Sequence, residues 1–331
     1  MTETATETVT RRIRIKPMPW LSSLGPLLGL GAIYLLFALA GPDSFSSLSN
    51  LETMARHTAI VGIAALGMTL VIIAGGIDLS VGSIIALVTV VIAALLQTGM
   101  PPLLAALLGV GTGALCGLLN GLLITRVRVV PFIVTLGTLL VLRGAAKGLA
   151  GEQKIDAPIT WLNDLLAAVP RSQAWQLVPP GVWILLVLAL LIAGILRYMR
   201  LGRHVFAVGS NEQTARLCGV AVENVKIVVY TLSATMAGIA GVMQFSRLTV
   251  GDPTVAVGLE LDVIAAVVIG GGSFSGGEGS IFGTIVGALI MTVIRSGCAQ
   301  MGLPNWVQEI VTGSIIVLAV ALDRLRHRRA K

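Results

Sequence analysis

Charge is what this sequence has least of. Lysine, arginine, aspartate and glutamate make up only 12% of its 331 residues, about half the roughly 25% of a soluble domain. So little charge cannot cover a surface that faces water, which excludes an ordinary soluble globular protein. Cysteine is scarce too. Cys116, Cys218 and Cys298 form no C-x-x-C pair, and two of them fall in apolar runs, so neither a disulfide framework nor a thiolate zinc site is indicated. The three histidines are scattered and suggest no metal cluster. No G-x-S-x-G, H-E-x-x-H or His/Asp grouping occurs, which weighs against a membrane-embedded enzyme. The glycine-rich run at 270–280 imitates a phosphate cradle, with Gly272 and Gly277 correctly spaced, but Glu278 stands where a P-loop needs lysine. A carboxylate there repels phosphate, so this chain is not expected to bind ATP itself. The start lacks a short apolar core with a small-residue cleavage site and does not read as a signal peptide. Residues 1–23 are expected to form a disordered cytoplasmic tail, polar and then basic.

What the sequence has instead is long apolar runs. It is 55% hydrophobic, with a mean hydropathy of +0.92. Between His57 and Arg126 the only formal charge is Asp78. Stretches free of charge recur at 129–142, 181–196, 227–246, 263–277, 279–294 and 310–322. A helix needs about 20 apolar residues to cross about 30 Å of hydrocarbon. The expected fold is therefore an all-α polytopic membrane protein of about ten spans. The runs and their Gly, Pro and charge punctuation place them at 24–40, 58–75, 80–97, 102–124, 130–149, 181–199, 226–246, 261–272, 280–296 and 307–322. The 261–272 run is too short for a regular crossing. It is either a broken helix or begins upstream, near Gly251.

Orientation follows the Lys/Arg bias. With the N-terminus inside, sixteen of the 23 basic residues fall on the cytoplasmic side, among them Arg126, Arg128, Arg197, Arg203, Arg216 and the 324–331 tail. The expectation is an even number of spans with both termini cytoplasmic, a transmembrane region over 24–323, a cytoplasmic loop at 200–225 and a basic tail at 324–331. The net charge of +7 and pI near 9.8 then hold inner loops against anionic headgroups. Because basic residues flank spans instead of forming one patch, nucleic-acid binding is not indicated. The outer loop from about Ala150 to Pro180 carries Pro158, Pro170, Pro179, Trp161 and Trp175, and tryptophan favours the membrane interface.

An internal echo links IIAGGIDLSVGSIIALV (72–88) to VIGGGSFSGGEGSIFGTIVGAL (268–289). Each is an apolar run, a Gly/Ser-rich break, then Gly-Ser-Ile opening another run. Both breaks are expected on the cytoplasmic side, and paired breaks of this kind point to a transport pathway. The candidates there are Gly75, Gly76, Asp78, Ser80 and Gly82 in the first break and Gly271, Gly272 and Ser273 in the second. Asp78 admits two roles. It is an N-cap accepting from free backbone N–H groups, a role Ser80 could share, or an ionisable group acting in transport or coupling. Asn120, Thr135, Thr138 and Gln244 are polar groups inside spans, open both to lining a path for hydroxylated solutes and to helix–helix bonding. In the inner loop, Asn211 or Ser210 caps a short helix over 212–218 that Gly219 ends. Such a helix is a natural docking element for a motor. Near the outer ends, Arg143 and Lys147 share one face, Asp252, Glu260 and Asp262 flank a loop with Arg247, and Arg295 and Glu309 are placed to pair across a short connection. Snorkelling to headgroups accounts for most of these charges.

GGIDLSVGSIIAL, NGLLITRVRVVPFIVTLGTLLVLRG, the loop GRHVFAVGSNEQTARLCGVAVENVK and ELDVIAAVVIGGGSFSGGEGSIFGTIVGALI together resemble the ribose-type branch of bacterial ABC importer permeases. The resemblance covers roughly residues 50 to 323. It implies a multi-pass permease of the bacterial cytoplasmic (inner) membrane that carries a small neutral sugar or sugar-like solute by alternating access and changes no bond. Partners implied are two cytoplasmic ATP-binding subunits, which hold the ATP and Mg, a periplasmic or lipid-anchored solute-binding protein, and a second permease copy. No cofactor is implied in this chain. Asn211, Glu212, Ala215, Arg216 and Gly219 fall in the segment that looks like the family's coupling element. The rival is a self-sufficient ion-coupled secondary transporter. Such carriers use intramembrane carboxylates or histidines, and apart from Asp78 this chain offers no carboxylate in mid-span.

Overall fold

A computed structural model describes residues 19–169, 176 and 178–330. Residues 1–18 of the expected tail, together with Pro170, Arg171, Trp175 and Lys331, lie outside the described residues. Among the described residues twelve α-helices follow one another, numbered in chain order. They are α1 (Pro19–Ala40), α2 (Leu48–Ile73), α3 (Val81–Gln97), α4 (Pro102–Arg126), α5 (Pro131–Leu149), α6 (Pro180–Tyr198), α7 (Arg200–Ser210), α8 (Glu212–Leu217), α9 (Val222–Leu248), α10 (Leu259–Ile269), α11 (Ile281–Gln300) and α12 (Asn305–Ala330). Each of the ten apolar runs coincides with one helix. Helix α12 continues through 324–330, the stretch expected as a tail. The only strands among the described residues, β1 (Ile155–Asp156) and β2 (Val250–Gly251), pair antiparallel.

The helix ends follow local chemistry. Proline opens α4, α5 and α6, where its missing N–H costs nothing and its fixed φ suits the first turn. Ser47 caps α2 by accepting from Asn50 N–H, and Ser280 caps α11 by accepting from Gly283 N–H. Helix α9 stops where Thr249 turns left-handed at φ 62°. The short run is a half-length helix beginning at Leu259, eight residues past Gly251. Left-handed residues at Thr249, Ala256 and Gly258 keep the preceding segment from winding.

Among the described residues six helices, α2, α4, α5, α6, α9 and α11, are long and apolar enough to cross a membrane, with shorter apolar helices at Gly25–Ala40 and Val81–Gln97. Burial sorts them. The apolar window of α2 is 89% buried, whereas that of α5 is 17% buried. Helix α2 is thus the central post, with α9 and α11 beside it, and α4, α5 and α6 turn leucine-rich faces outward (Leu104, Leu107, Leu140, Leu190). In lipid, close packing substitutes for the hydrophobic effect as the force between helices. Gly113, Gly117 and Gly121 make one stripe on α4 against the backbone of α9. A methyl group at Gly113 would lie 2.7 Å from Ala234 O, and one at Gly121 would lie 2.8 Å from Ile227 Cα. Backbone meets backbone there, so α4 and α9 dock with no room for a side chain.

Candidate functional site: the helix breaks and the α7–α8 hairpin

Sequence and structure agree on a short helix in the inner loop, and the structure adds a second. Helix α7 buries Gly202, Val205 and Val208, three residues apart on one face, and shows Arg203 outward. Asn211 is extended and ends α7. Its Oδ1 accepts the Thr214 N–H at 2.9 Å and so opens α8. Of α8 only Ala215 is buried, and Gly219 at φ +84° reverses the chain after it. Glu212 reaches Arg216 at 3.5 Å and Lys226 at 2.7 Å, and Arg216 also pairs with Glu223. Exposed pairs contribute about 0–1 kcal/mol each, so this network sets the direction of α8 more than it stabilises it. The hydrogen bond that Arg216 donates to the Glu223 carboxylate, with the charges of Glu223 and Glu212 beside it, raises the Arg216 guanidinium above its ordinary range. It therefore carries charge at any physiological pH. Leu217, 88% exposed, is an apolar tip that the sequence reading passed over. Its signal was an apolar residue off the Ala215 face.

The far end of α7 is locked to both breaks. The Gly277 N–H donates to Ile73 O at 2.8 Å, joining the end of α2 to the second break. Gly209 lies against the same Ile73 carbonyl, with the Gly277 backbone N 2.6 Å from where its Cβ would be. A Cβ on Gly276 would lie 2.6 Å from Gly209 O. Three backbones converge on glycine alone. Gly271 (φ +95°) ends α10, and the Gly272 N–H closes back on Val267 O at 2.8 Å. Ser273 is buried, and its Oγ accepts the Ser275 N–H at 3.2 Å.

The first break does not stay at the end of the bundle, as expected, but climbs into it. Gly75 (φ +79°) and Gly76 close the end of α2 through N–H bonds to Ile72 O and Val71 O, and residues 76–80 then run non-helical. A buried segment of this kind needs partners for its backbone. Ile77 O accepts from Tyr230 Oη at 3.4 Å and Thr135 Oγ1 at 3.3 Å. Asp78 is fully buried. One carboxylate oxygen accepts Ser80 N–H (2.9 Å) and Ser80 Oγ (2.6 Å), and the other has no protein partner. Ser80 holds the N-cap position of α3 with no side-chain cap bond, so Asp78 forms a turn just ahead of the helix. Asn120 Nδ2 donates to Ser80 Oγ at 3.0 Å. Asn120 stands roughly 9 Å along α4 from its end at Arg126 at ~1.5 Å per residue, which gives the depth of the climb. Gly82 follows, with Ala256 O and the Glu260 carboxylate where its Cβ would be. Thr138 bonds its own helix at Thr135 O, 3.3 Å. Gln244 is buried roughly 21 Å along α9 from Tyr230, apart from this network.

Two expectations about charges change. Arg295 pairs with Asp262 at 2.6 Å instead of Glu309, because α10 packs antiparallel beside α11 and brings its first turn level with Arg295. Arg143 does not snorkel. It donates to Pro253 O (3.0 Å) and Val255 O (2.6 Å), pinning the irregular segment before α10. Asp262 is also more buried than an outer-loop charge should be, at 1% exposure. Among the described residues no group of three or more His, Cys, Asp or Glu is placed to hold a metal ion.

Residues 50–320 match the family described as the branched-chain amino acid transport system / permease component. The chain belongs to this permease family. It is 39% identical over 305 residues to the ribose import permease protein RbsC of Bacillus subtilis (strain 168), covering 92% of this chain and 93% of that one. It is 37% identical over 322 residues to RbsC of Escherichia coli (strain K12), covering 97% and 99%. The D-allose transport system permease protein AlsC of Escherichia coli (strain K12) is 34% identical over 298 residues, covering 89% and 90%. No solved structure matches the chain. The family and the apolar helices make this a multi-pass protein of the cytoplasmic membrane, with the role of an ABC importer permease and not of a self-sufficient ion-coupled carrier.

Proposed function

We propose that this permease carries a small neutral sugar or sugar-like solute, handed over by a solute-binding protein and driven by two cytoplasmic ATP-binding subunits. ATP and Mg belong to those subunits. The permease works as a pair, most simply with a second copy of itself, and crosses the membrane ten times with both termini cytoplasmic. The substrate class rests on the relatives named for ribose and D-allose import. The observation that carries the mechanism is the glycine junction at Gly209, Ile73 and Gly277. A motor subunit that pulls on α8 moves α7, and α7 cannot move without displacing the end of α2 and the second break. Nucleotide-driven motion is thereby delivered to the two irregular segments, where the helices can hinge. An ATP-binding subunit biases the permease between two states only through contacts that differ between them. Residues 211–219 supply those contacts, with Leu217 as the apolar contact and the Glu212–Arg216–Lys226 network orienting it. A photo-reactive amino acid at Leu217 should crosslink to the ATP-binding subunit in membranes co-expressing both, while one at lipid-facing Leu190 should not. Equal labelling at both positions would remove α8 as the docking element.

A further inference from the structure

The first break holds a carboxyl group that the coupling of α7 to the breaks leaves unused. Asp78 is fully buried at the depth of Asn120 and forms no ion pair among the described residues. The ionisable side chains on the helices around it are Cys116 on α4, Tyr230 on α9 and Glu260 on α10, whose carboxylate lies against Gly82. None of these is a cation. Helix α5 brings Thr135 to the turn and holds Arg143 on the carbonyls of Pro253 and Val255. No charged side chain acts on Asp78. Its two oxygens differ. Oδ1 accepts from Ser80 N–H and Ser80 Oγ, whereas Oδ2 is buried without a partner. A hydroxyl has one hydrogen to give. Ser80 gives it to Asp78, so it meets Asn120 as an acceptor, and the amide uses Nδ2 there at 3.0 Å. Asn120 Oδ1 is then also buried without a partner. Two orphaned acceptors thus flank one hydroxyl.

Orphaned acceptors carry a desolvation cost until a donor reaches them, and a buried carboxylate charge without a counter-ion carries a larger one. The space decides which donor fits. Gly76 lies against Tyr230 Oη, and Gly82 against Ala256 O and the Glu260 carboxylate, with no room for a methyl group at either. A metal cation needs several oxygen ligands around it, and Ile77 O, a carbonyl of the same turn, is already taken by Tyr230 and Thr135. A proton needs no room. We propose that Asp78 is a proton site: in the closed break it is a carboxylic acid whose Oδ2–H is directed at Asn120 Oδ1, latching the break to α4. When the break opens, water entering from the α7–α8 end takes the proton and hydrates the carboxylate. The closed state binds one proton more than the open state, so acid favours closure. Each unit of pH upward favours opening about tenfold, from the ordinary carboxylate range of about 4 to the pH at which the buried acid itself ionises. The proton returns to the side it came from, so the latch draws nothing from an ion gradient. It goes beyond the importer assignment and holds whatever solute is carried.

The test uses the full-length permease in nanodiscs. Asp78→Asn imitates the protonated acid, because its amide oxygen can accept from Ser80 while its Nδ2 donates to Asn120 Oδ1. Infrared spectra at about pH 7 should show the C=O stretch of a protonated carboxylic acid in the wild type. That band should be missing from Asp78→Asn and kept in Asp262→Asn. Wild type grown with aspartate carrying carbon-13 in its side-chain carboxyl should show the band displaced, which identifies an aspartic acid with no substitution at position 78. Hydrogen exchange at residues 77–80, corrected for intrinsic rates, should rise in the wild type relative to Asp78→Asn by about tenfold per pH unit between about pH 5 and about pH 7. Loss of a carboxylate band in Asp78→Asn, in place of the acid band, would overturn the proposal. So would a labelled wild type whose acid region does not move, or an exchange ratio that is flat with pH. None of these readouts involves solute, nucleotide or partner subunits, so their failure leaves the importer assignment intact.

Discussion

Replacing Gly209 by alanine tests whether the hairpin and the breaks move as one body. Gly209 is helical, so alanine costs nothing in backbone strain, and in an open helix it would even be favoured by up to about 1 kcal/mol. The entire penalty is steric. The new methyl group overlaps the Ile73 carbonyl oxygen and sits 2.6 Å from Gly277 N. Both are backbone atoms, one the acceptor and the other the donor of the 2.8 Å hydrogen bond that joins the breaks, so neither can rotate aside. Overpacking of this kind costs about 1–3 kcal/mol, which shifts the locked junction toward an open one by about 5- to 150-fold. Helix α8 is untouched, so the ATP-binding subunit should still co-purify. In proteoliposomes the ATPase should run while solute uptake per ATP falls about tenfold or more. The control is Gly194→Ala on α6, where nothing lies within 4 Å. Uptake per ATP at the wild-type value in Gly209→Ala would refute the mechanical link.

Three further outcomes follow from the same geometry. Glu212→Arg reverses the charge that holds Arg216 and Lys226. It should release the ATP-binding subunit during purification while membrane insertion is retained, and normal recovery of that subunit would count against α8 as its dock. Gly117→Leu should force α4 off the Tyr230 carbonyl of α9 and lower stability by about 1–3 kcal/mol, read as a melting shift in detergent. Gly111→Leu, on the open face of the same helix, should melt as the wild type does. Asn120→Leu leaves Ser80 without its Nδ2 donor at the buried turn and should cost about 1–3 kcal/mol. Faster hydrogen exchange at residues 77–80 is the local signature, and unchanged exchange there would mean that Asn120 does not hold the break.

The helices were legible because hydrocarbon leaves little choice. A chain that must satisfy every backbone group internally writes its spans as apolar runs, and all ten runs fell on helices. Asn211 and Gly219 could be read because capping and left-handed turns act over a few residues. The climb of 76–80 could not. It depends on Tyr230 and Thr135 from distant helices supplying donors to Ile77 O; Thr135 was visible as a polar group inside a span, but nothing local assigned its partner, and Tyr230 carries no local pattern. Gly209 was invisible for a similar reason. One glycine in an amphipathic helix looks ordinary until the carbonyl it faces, on a helix far away in sequence, is placed. Arg295 was matched to Glu309 by proximity along the chain, whereas the antiparallel packing of α10 on α11 gave it Asp262. Proximity in sequence misjudged the Arg295 partner; capping chemistry placed Asn211 and Gly219 but not Asp78 and Ser80, because Asp78 turns onto Ser80 ahead of α3 and leaves that helix with no side-chain cap bond.

The central claim is that nucleotide energy, taken up on separate subunits, drives a sugar through this chain. The permease should be reconstituted with its ATP-binding subunit and solute-binding protein, and uptake of a panel of neutral sugars followed with ATP alone and with an ion gradient alone. The account predicts uptake of one sugar that requires ATP and the binding protein and ignores the gradient. Uptake driven by the gradient with no nucleotide present would contradict it.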